Sequence, residues 1–168
     1  MRLVVVTQIL TLLSAGAMAG SVAAPCTPVR GSCAFYTDCL EANYHCGEEG
    51  YPLGYGNKYC NKFSDEQEKL SAEGKDWMLD TMVCLQTALV PYATGNTSTT
   101  CDELEHAAFA THPACYVDSG FCELPPTDWV AVVDIVGLKT LFESWDAFLA
   151  SLEAAEGCLE AWTYLSTI

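Results

Sequence analysis

Basic residues are scarce in this sequence. Seven Lys and Arg residues stand against 22 Asp and Glu residues, which gives a formal net charge of −15 at pH 7. Nucleic acids and anionic lipid headgroups attract basic surfaces, so this shortage argues against both as partners. An acidic surface suits a basic protein surface or calcium, but it also keeps a secreted protein soluble. No EF-hand spacing is present to indicate a calcium site.

Long hydrophobic runs are also missing beyond the N-terminus. Met1-Arg2 is followed by an apolar run from Leu3 to Leu13 and by small residues up to Ala19. This pattern is typical of a secretory signal peptide over residues 1–19, and the run is too short to span a bilayer. The mature chain is predicted to begin at Gly20 and to form a single domain over residues 20–168. We therefore expect a secreted, extracellular protein without stable insertion into a membrane.

The sequence lacks the common motifs of hydrolases and metal sites. No G-x-S-x-G is present to provide a serine nucleophile, and no C-x-x-C is present to bind zinc. The segment ATHPACY places His112 near a Cys-Tyr pair, as in secreted helical phospholipases. Those enzymes need Asp directly after the histidine, and Pro113 occupies that position here. The sequence predicts no catalytic residue, no metal ligand, no cofactor and no enzymatic activity.

The remaining histidines form no recognisable site either. His45, His106 and His112 are scattered along the chain, and we expect them to face solvent or to cap helices.

Strand-like alternation is absent, and helical spacing of apolar residues takes its place. Ser71 is a predicted N-cap, Thr100 and Glu103 have the spacing of a capping box, and Thr127 is a third predicted N-cap. Pro91 and Gly137 are expected to end or kink the helices before them. The sequence thus predicts an all-α fold, with helical segments over residues 35–44, 59–70, 71–91, 100–113, 127–137 and 138–152.

Two stretches are predicted to be loops. The first, residues 47–58, is rich in glycine, and Tyr51, Tyr55 and Tyr59 in or beside it are expected to pack over a disulfide. The second, YATGNTSTT, contains Asn96-Thr97-Ser98, a sequon for N-glycosylation. We expect Asn96 to be exposed and available to carry a sugar.

An apolar stripe runs through residues 138–152, from Leu138 to Leu152. Such a stripe either closes the core of a small helical domain or lines a cavity for a lipid tail. The second possibility would make the protein a saposin-like or elicitin-like carrier, although those modules normally use three disulfides.

Ten cysteines follow the predicted cleavage point. An even number of cysteines in an exported chain predicts a disulfide framework. Ten cysteines can pair in roughly 945 ways, so counting alone does not select a pairing.

The cysteine spacing resembles that of the stanniocalcin family. The resemblance is carried by CAFYTDCLEANYHC, by YCNKF, by a G-K helix that ends in Cys84, and by ACYVDSGFC. The gaps of 24 residues from Cys60 to Cys84, 14 from Cys101 to Cys115 and 7 from Cys115 to Cys122 also match. The similarity extends over about residues 26–158.

This resemblance implies a secreted glycoprotein hormone that binds an extracellular receptor or target protein and is not an enzyme. The family is associated with calcium and phosphate balance and with inhibition of secreted metalloproteinases. Its members usually carry an eleventh cysteine that joins two chains, and no covalent dimer is expected here because this cysteine is missing. The implied disulfides are Cys26–Cys39, Cys33–Cys60, Cys46–Cys101, Cys84–Cys115 and Cys122–Cys158.

Overall fold

The computed structural model describes residues 26–137 and 153–159, and this part of the chain contains helices and no strand. The first two helices begin with π-helical turns. Helix α1 runs through Tyr36–Glu41 and Ala42–Tyr44, and α2 through Tyr51–Asn57 and Lys58–Asp65. They are followed by α3 (Ala72–Ala88), α4 (Val90–Ala93), α5 (Cys101–Phe109), α6 (His112–Asp118), α7 (Pro126–Val136) and α8 (153–159). The prediction of an all-α fold is confirmed.

The two helix starts with the strongest local signals form as predicted. The Ser71 hydroxyl accepts a hydrogen bond from the Gly74 N–H at 3.0 Å and caps α3. Thr100 and Glu103 form a reciprocal capping box at the start of α5. Both caps satisfy N–H groups that have no partner inside the helix.

The predicted loop over residues 47–58 is confirmed for residues 47–50 and wrong for residues 51–58. Residues Tyr51–Asn57 are helical, and Pro52 lies in the first turn, where its missing N–H costs nothing. Gly54 lets the turn approach the preceding chain, because a Cβ there would lie 2.8 Å from the Glu48 carbonyl oxygen. Tertiary packing therefore overrides the low helix propensity of glycine here.

Two predicted helix boundaries are displaced. Pro125 rather than Thr127 is the N-cap of α7, and Thr127 lies inside the helix. Helix α3 ends at Ala88, before Pro91, and Pro91 lies in the first turn of α4. Proline fits the first turn of a helix, so Pro91 begins a new helix as well as limiting the old one. Helix α7 ends at Val136, followed by Gly137 with a φ of +87°.

Five disulfides pair the ten cysteines, and none is free. The pairs are the five that the family resemblance implies. One bridge is local to the segment around α1, and the others join distant elements. The bridges are Cys26–Cys39, Cys33–Cys60, Cys46–Cys101, Cys84–Cys115 and Cys122–Cys158.

The core lies where α1, α2, α3, α5 and α7 meet. Leu40, Leu89, Leu104 and Ile135 each have 0% of their surface exposed, and they come from four different parts of the chain. The predicted signal peptide, residues 1–19, and the predicted stripe, residues 138–152, lie outside the described residues. Within the described part, no helix is both long and apolar enough to cross a bilayer.

Candidate functional site

An aromatic cavity of about 50 Å³ lies between α1, α2, α3, α6 and α7. Among its lining residues are five tyrosines, one histidine and one threonine. None of the described lining residues is acidic, and none is a lysine or arginine. These seven polar residues are Tyr36, Tyr51, Tyr55, Tyr59, Tyr116, His112 and Thr81.

His112 is buried in this cavity, so the expectation that it faces solvent was wrong, but its ring does cap the C-terminal end of α5. Only 4% of its surface is exposed. Its Nδ1–H donates a hydrogen bond to the Ala108 carbonyl oxygen at 2.9 Å, because a carbonyl can only accept. Burial lowers the pKa of His112 to about 4. The ring is therefore neutral at pH 7, and Nε2 carries the lone pair. His45 and His106 are exposed.

Aromatic rings surround the imidazole. The ring centre of His112 lies 6.1 Å from that of Tyr55, 5.3 Å from that of Phe109 and 5.6 Å from that of Tyr116. Tyr51 and Tyr55 stack on each other at 5.9 Å. The tyrosines pack as predicted, around a histidine and in a cavity whose wall also includes Cys60 of the Cys33–Cys60 disulfide.

The hydroxyls of Tyr36, Tyr51, Tyr55 and Tyr116 stay protonated at any physiological pH. Burial raises the pKa of Tyr116 to about 12, and it raises the pKa of Tyr55 well above the usual value. The pKa values of Tyr36 and Tyr51 are raised by burial too, and the two hydroxyls are hydrogen-bonded to each other. These groups cannot act as bases near pH 7.

The cavity therefore lacks the parts that a hydrolase needs. A general base must be able to accept a proton near the working pH and is usually oriented by a carboxylate. His112 has its Nδ1 bound to a backbone carbonyl, and no carboxylate lines the cavity among the described residues. Thr81 is the only hydroxyl of α3 in the cavity, and its Oγ1 is buried without a hydrogen-bond partner. We find no arrangement for nucleophilic or acid-base catalysis here.

Gly56 brings α2 close to α1 at the edge of the cavity. A Cβ at this position would lie 2.4 Å from the Tyr36 ring, which is itself 3% exposed and hydrogen-bonded to Tyr51. The ring thus packs directly on the backbone of the π-helical turn. Only glycine allows this approach.

Gly56→Ala is expected to lower the free energy of unfolding by about 1–3 kcal/mol, because the added methyl group collides with a ring that cannot move freely. A loss of stability is informative, because Gly→Ala at an uncrowded helix position raises the free energy of unfolding by up to about 1 kcal/mol. Urea denaturation of Gly56→Ala, of Tyr36→Leu and of the double variant would measure the coupling energy between the two positions. The loss of unfolding free energy caused by Gly56→Ala should be at most half as large in the Tyr36→Leu background, where the ring is absent. An equal cost in both backgrounds would contradict the collision.

A buried carboxylate, Asp128, was missed in the sequence. It is 1% exposed and accepts hydrogen bonds from the Ser71 N–H at 2.9 Å and from the Ser71 hydroxyl at 2.6 Å. It thereby joins the first turn of α7 to the N-terminus of α3. Its partner lies 57 residues away, so local spacing could not indicate the contact.

The sequon lies in the exposed turn after α4. Asn96, Thr97 and Ser98 are all exposed, and the Asn96 side-chain amide donates to the Thr94 hydroxyl at 3.1 Å. The Tyr44 hydroxyl donates to the Thr97 carbonyl at 3.0 Å and holds the turn against α1. A sugar on Asn96 would extend into solvent.

An apolar recess of about 250 Å³ lies beside the Cys122–Cys158 disulfide. Its described walls are Phe121, Trp129, Ala155, Cys158 and Leu159. No group of three or more His, Cys, Asp or Glu residues capable of holding a metal ion occurs in residues 26–137 and 153–159.

The family model described as the stanniocalcin family matches residues 26–158, which is most of the chain. The chain belongs to the stanniocalcin family. Comparisons with curated proteins and with solved structures gave no match.

Membership of the stanniocalcin family agrees with the features already described. Stanniocalcins are secreted, disulfide-rich, hormone-like proteins and are not known as enzymes. The all-α scaffold with five disulfides is of this kind.

Proposed function

We propose that this stanniocalcin-family protein is a secreted regulator that acts by binding an extracellular receptor or target protein and thereby influences calcium or phosphate balance. The family match over residues 26–158 carries the proposal. Support also comes from the cavity, which has no catalytic arrangement, and from a scaffold in which five disulfides hold short helices together. A protein of this kind acts through its surface, which requires a rigid frame.

The acidic balance of the chain favours a basic partner surface. Several of the few basic side chains are already engaged within the molecule. Arg30 pairs with Asp76 and Asp80, and Lys75 pairs with Glu68. Complementary charge raises the rate of association and selects the partner more than it raises affinity. We expect binding to weaken as the salt concentration increases.

Cell binding tests this function. Labelled protein with intact disulfides should bind saturably to the surface of responsive cells, and excess unlabelled protein should compete with it. The same treatment should change the uptake of radioactive calcium or phosphate. Reduced and alkylated protein is the matched control and should do neither. Absence of competable binding would refute the proposed function, whereas binding without an effect on uptake would refute its link to mineral balance.

Export and glycosylation belong to the same proposal. We expect the secreted form to begin at Gly20 and to carry a sugar on Asn96. Intact-mass measurement of protein collected from the medium tests both, because each change has its own mass difference. A mass that retains residues 1–19 would contradict export through a cleaved signal peptide.

A lipid carrier is the alternative that the apolar recess favours. Its volume of about 250 Å³ exceeds the roughly 150 Å³ of an apolar cavity that accepts benzene. The aromatic cavity, at about 50 Å³, is much smaller than that reference. Mass spectrometry under native conditions distinguishes the two functions, because a carrier would be isolated with stoichiometric lipid and a hormone-like protein without it.

A further inference from the structure

His112 is a titratable group enclosed by six helices, and the residues that each helix presents to it can be named. Helix α1 presents Tyr36, α2 presents Tyr51, Tyr55 and Tyr59, α3 presents Trp77 and Thr81, α6 presents Tyr116, and α7 presents Val136. Phe109 of α5 lies against the imidazole as well. The titratable neighbours are therefore tyrosines, and no carboxylate among the described lining residues can balance a positive charge.

A proton on this ring has little to compensate it. Protonated imidazole has two donors, and the acceptors beside the ring are neutral backbone carbonyls, that of Ala108 at 2.9 Å from Nδ1 and that of Phe109. Removing a charge from water costs several kcal/mol, whereas a cation–π contact contributes about 0.5–2 kcal/mol. The desolvation cost exceeds the gain, so the folded arrangement disfavours the imidazolium.

Helix α6 is joined to α3 by a disulfide and a hydrogen bond, and it packs against α2 through aromatic rings. Cys115 of α6 is joined by a disulfide to Cys84 of α3, and Trp77 Nε1 of α3 donates to the Tyr116 carbonyl at 3.2 Å. On the side of α2, the contacts of His112 are with aromatic rings such as Tyr55. A disturbance at His112 would therefore separate α6 from α2 while α6 stays attached to α3.

We propose that His112 is an acid-sensitive latch, in which protonation of the imidazole separates α6 from α2 and opens the aromatic cavity. The latch does not depend on the hormone-like function. It would let an acidic compartment or extracellular environment change the conformation of the protein without breaking a disulfide.

The direction in which pH shifts the equilibrium between the closed and opened states follows from the pKa of His112, which burial lowers from 6.5 to about 4. The unfolded or opened state takes up the proton first, so closure is fully stabilised above about pH 6.5 and is lost progressively as the pH falls toward 4. Each pH unit in this range should raise the equilibrium constant for opening by up to about tenfold. The fall from pH 7.5 to pH 4 should raise it by about 150-fold in total, because half of the closed form is itself protonated at pH 4.

Urea denaturation between pH 7.5 and pH 4 tests the latch. The unfolding equilibrium constant of the parent protein should rise by about 150-fold more over this range than that of His112→Phe, which keeps an aromatic ring but cannot be protonated. The matched control is His45→Gln at an exposed histidine, and it should keep the pH dependence of the parent. Carboxylates titrate in all three proteins, so the difference isolates His112. Equal pH dependence in the parent and His112→Phe would overturn the proposal.

Two measurements on the parent protein remain decisive if His112→Phe fails to fold. The His112 ring, followed by NMR, should titrate well below 6.5, and a midpoint at or above 6.5 would refute the latch. Hydrogen-exchange protection factors of α6 amides such as Tyr116 should fall at pH 4.5 relative to those of α3. A uniform fall across both helices would show global unfolding and would also count against a local latch.

Discussion

A variant with Cys46→Ser and Cys101→Ser should unfold with a free energy about 4 kcal/mol lower than that of the parent protein. This bridge closes the longest loop of the five, with a sequence separation of 55 residues, and it ties the end of α1 to the start of α5. In the chain-entropy model, a longer closed loop restricts the unfolded chain more. Urea denaturation under non-reducing conditions measures the loss.

The matched control removes the disulfide that closes the shortest loop. Cys26–Cys39 has a sequence separation of 13, and the same model gives about 3 kcal/mol for the double serine variant. The two variants carry the same number and kind of substitutions, so their difference reports loop length. A smaller loss for the Cys46 and Cys101 variant than for the control would contradict the entropic explanation for this scaffold.

The disulfides show how much of the cysteine pairing could be predicted from the sequence. The even number of cysteines predicted disulfides, but their number left roughly 945 pairings open. Only the likeness to a family implied the observed pairs. The bridges join residues as far apart as Cys46 and Cys101, so no local pattern encodes the partner of either cysteine.

Helix caps were predictable because they are local. Ser71 binds the N–H of Gly74, three residues away, and Thr100 and Glu103 bind each other over the same spacing. All the information for these contacts lies within one helical turn.

The candidate site was less predictable because it depends on packing between distant segments. His112 has an ordinary sequence context, and its burial arises from contacts with Tyr55, 57 residues before it, as well as with its neighbours on α5 and α6. The loop prediction failed over residues 51–58 for the same reason. Glycine disfavours a helix locally, but Gly56 is where the Tyr36 ring packs on the backbone of α2.

Asp128→Ala is expected to lower the free energy of unfolding by about 3–5 kcal/mol. The carboxylate is 1% exposed and is the acceptor for both the N–H and the hydroxyl of Ser71. Alanine would leave these two donors without that acceptor inside the protein, and hydrogen bonds to a charged group are worth about 1.5–3 kcal/mol each. The negative charge near the N-terminus of α3 would be lost as well.

The packing around Asp128 leaves no room for an alternative arrangement. A Cβ on Gly74 would lie 2.4 Å from Asp128 Oδ2, so the carboxylate rests against the bare backbone of α3. Asp128→Asn should cost less than Asp128→Ala, because the amide oxygen can still accept one of the two hydrogen bonds, while its NH₂ group would meet the other donor.

Asp102→Ala is the matched control for the loss of a helix N-terminal carboxylate. Asp102 lies in the first turn of α5 and is exposed, so its removal should cost no more than about 1 kcal/mol. Urea denaturation of Asp128→Ala, Asp128→Asn and Asp102→Ala at pH 7 would rank the three variants by their free energy of unfolding. A loss below about 1 kcal/mol for Asp128→Ala would mean that water replaces the carboxylate as the acceptor for Ser71. In that case α3 and α7 would be held together by their apolar contacts and not by the buried carboxylate.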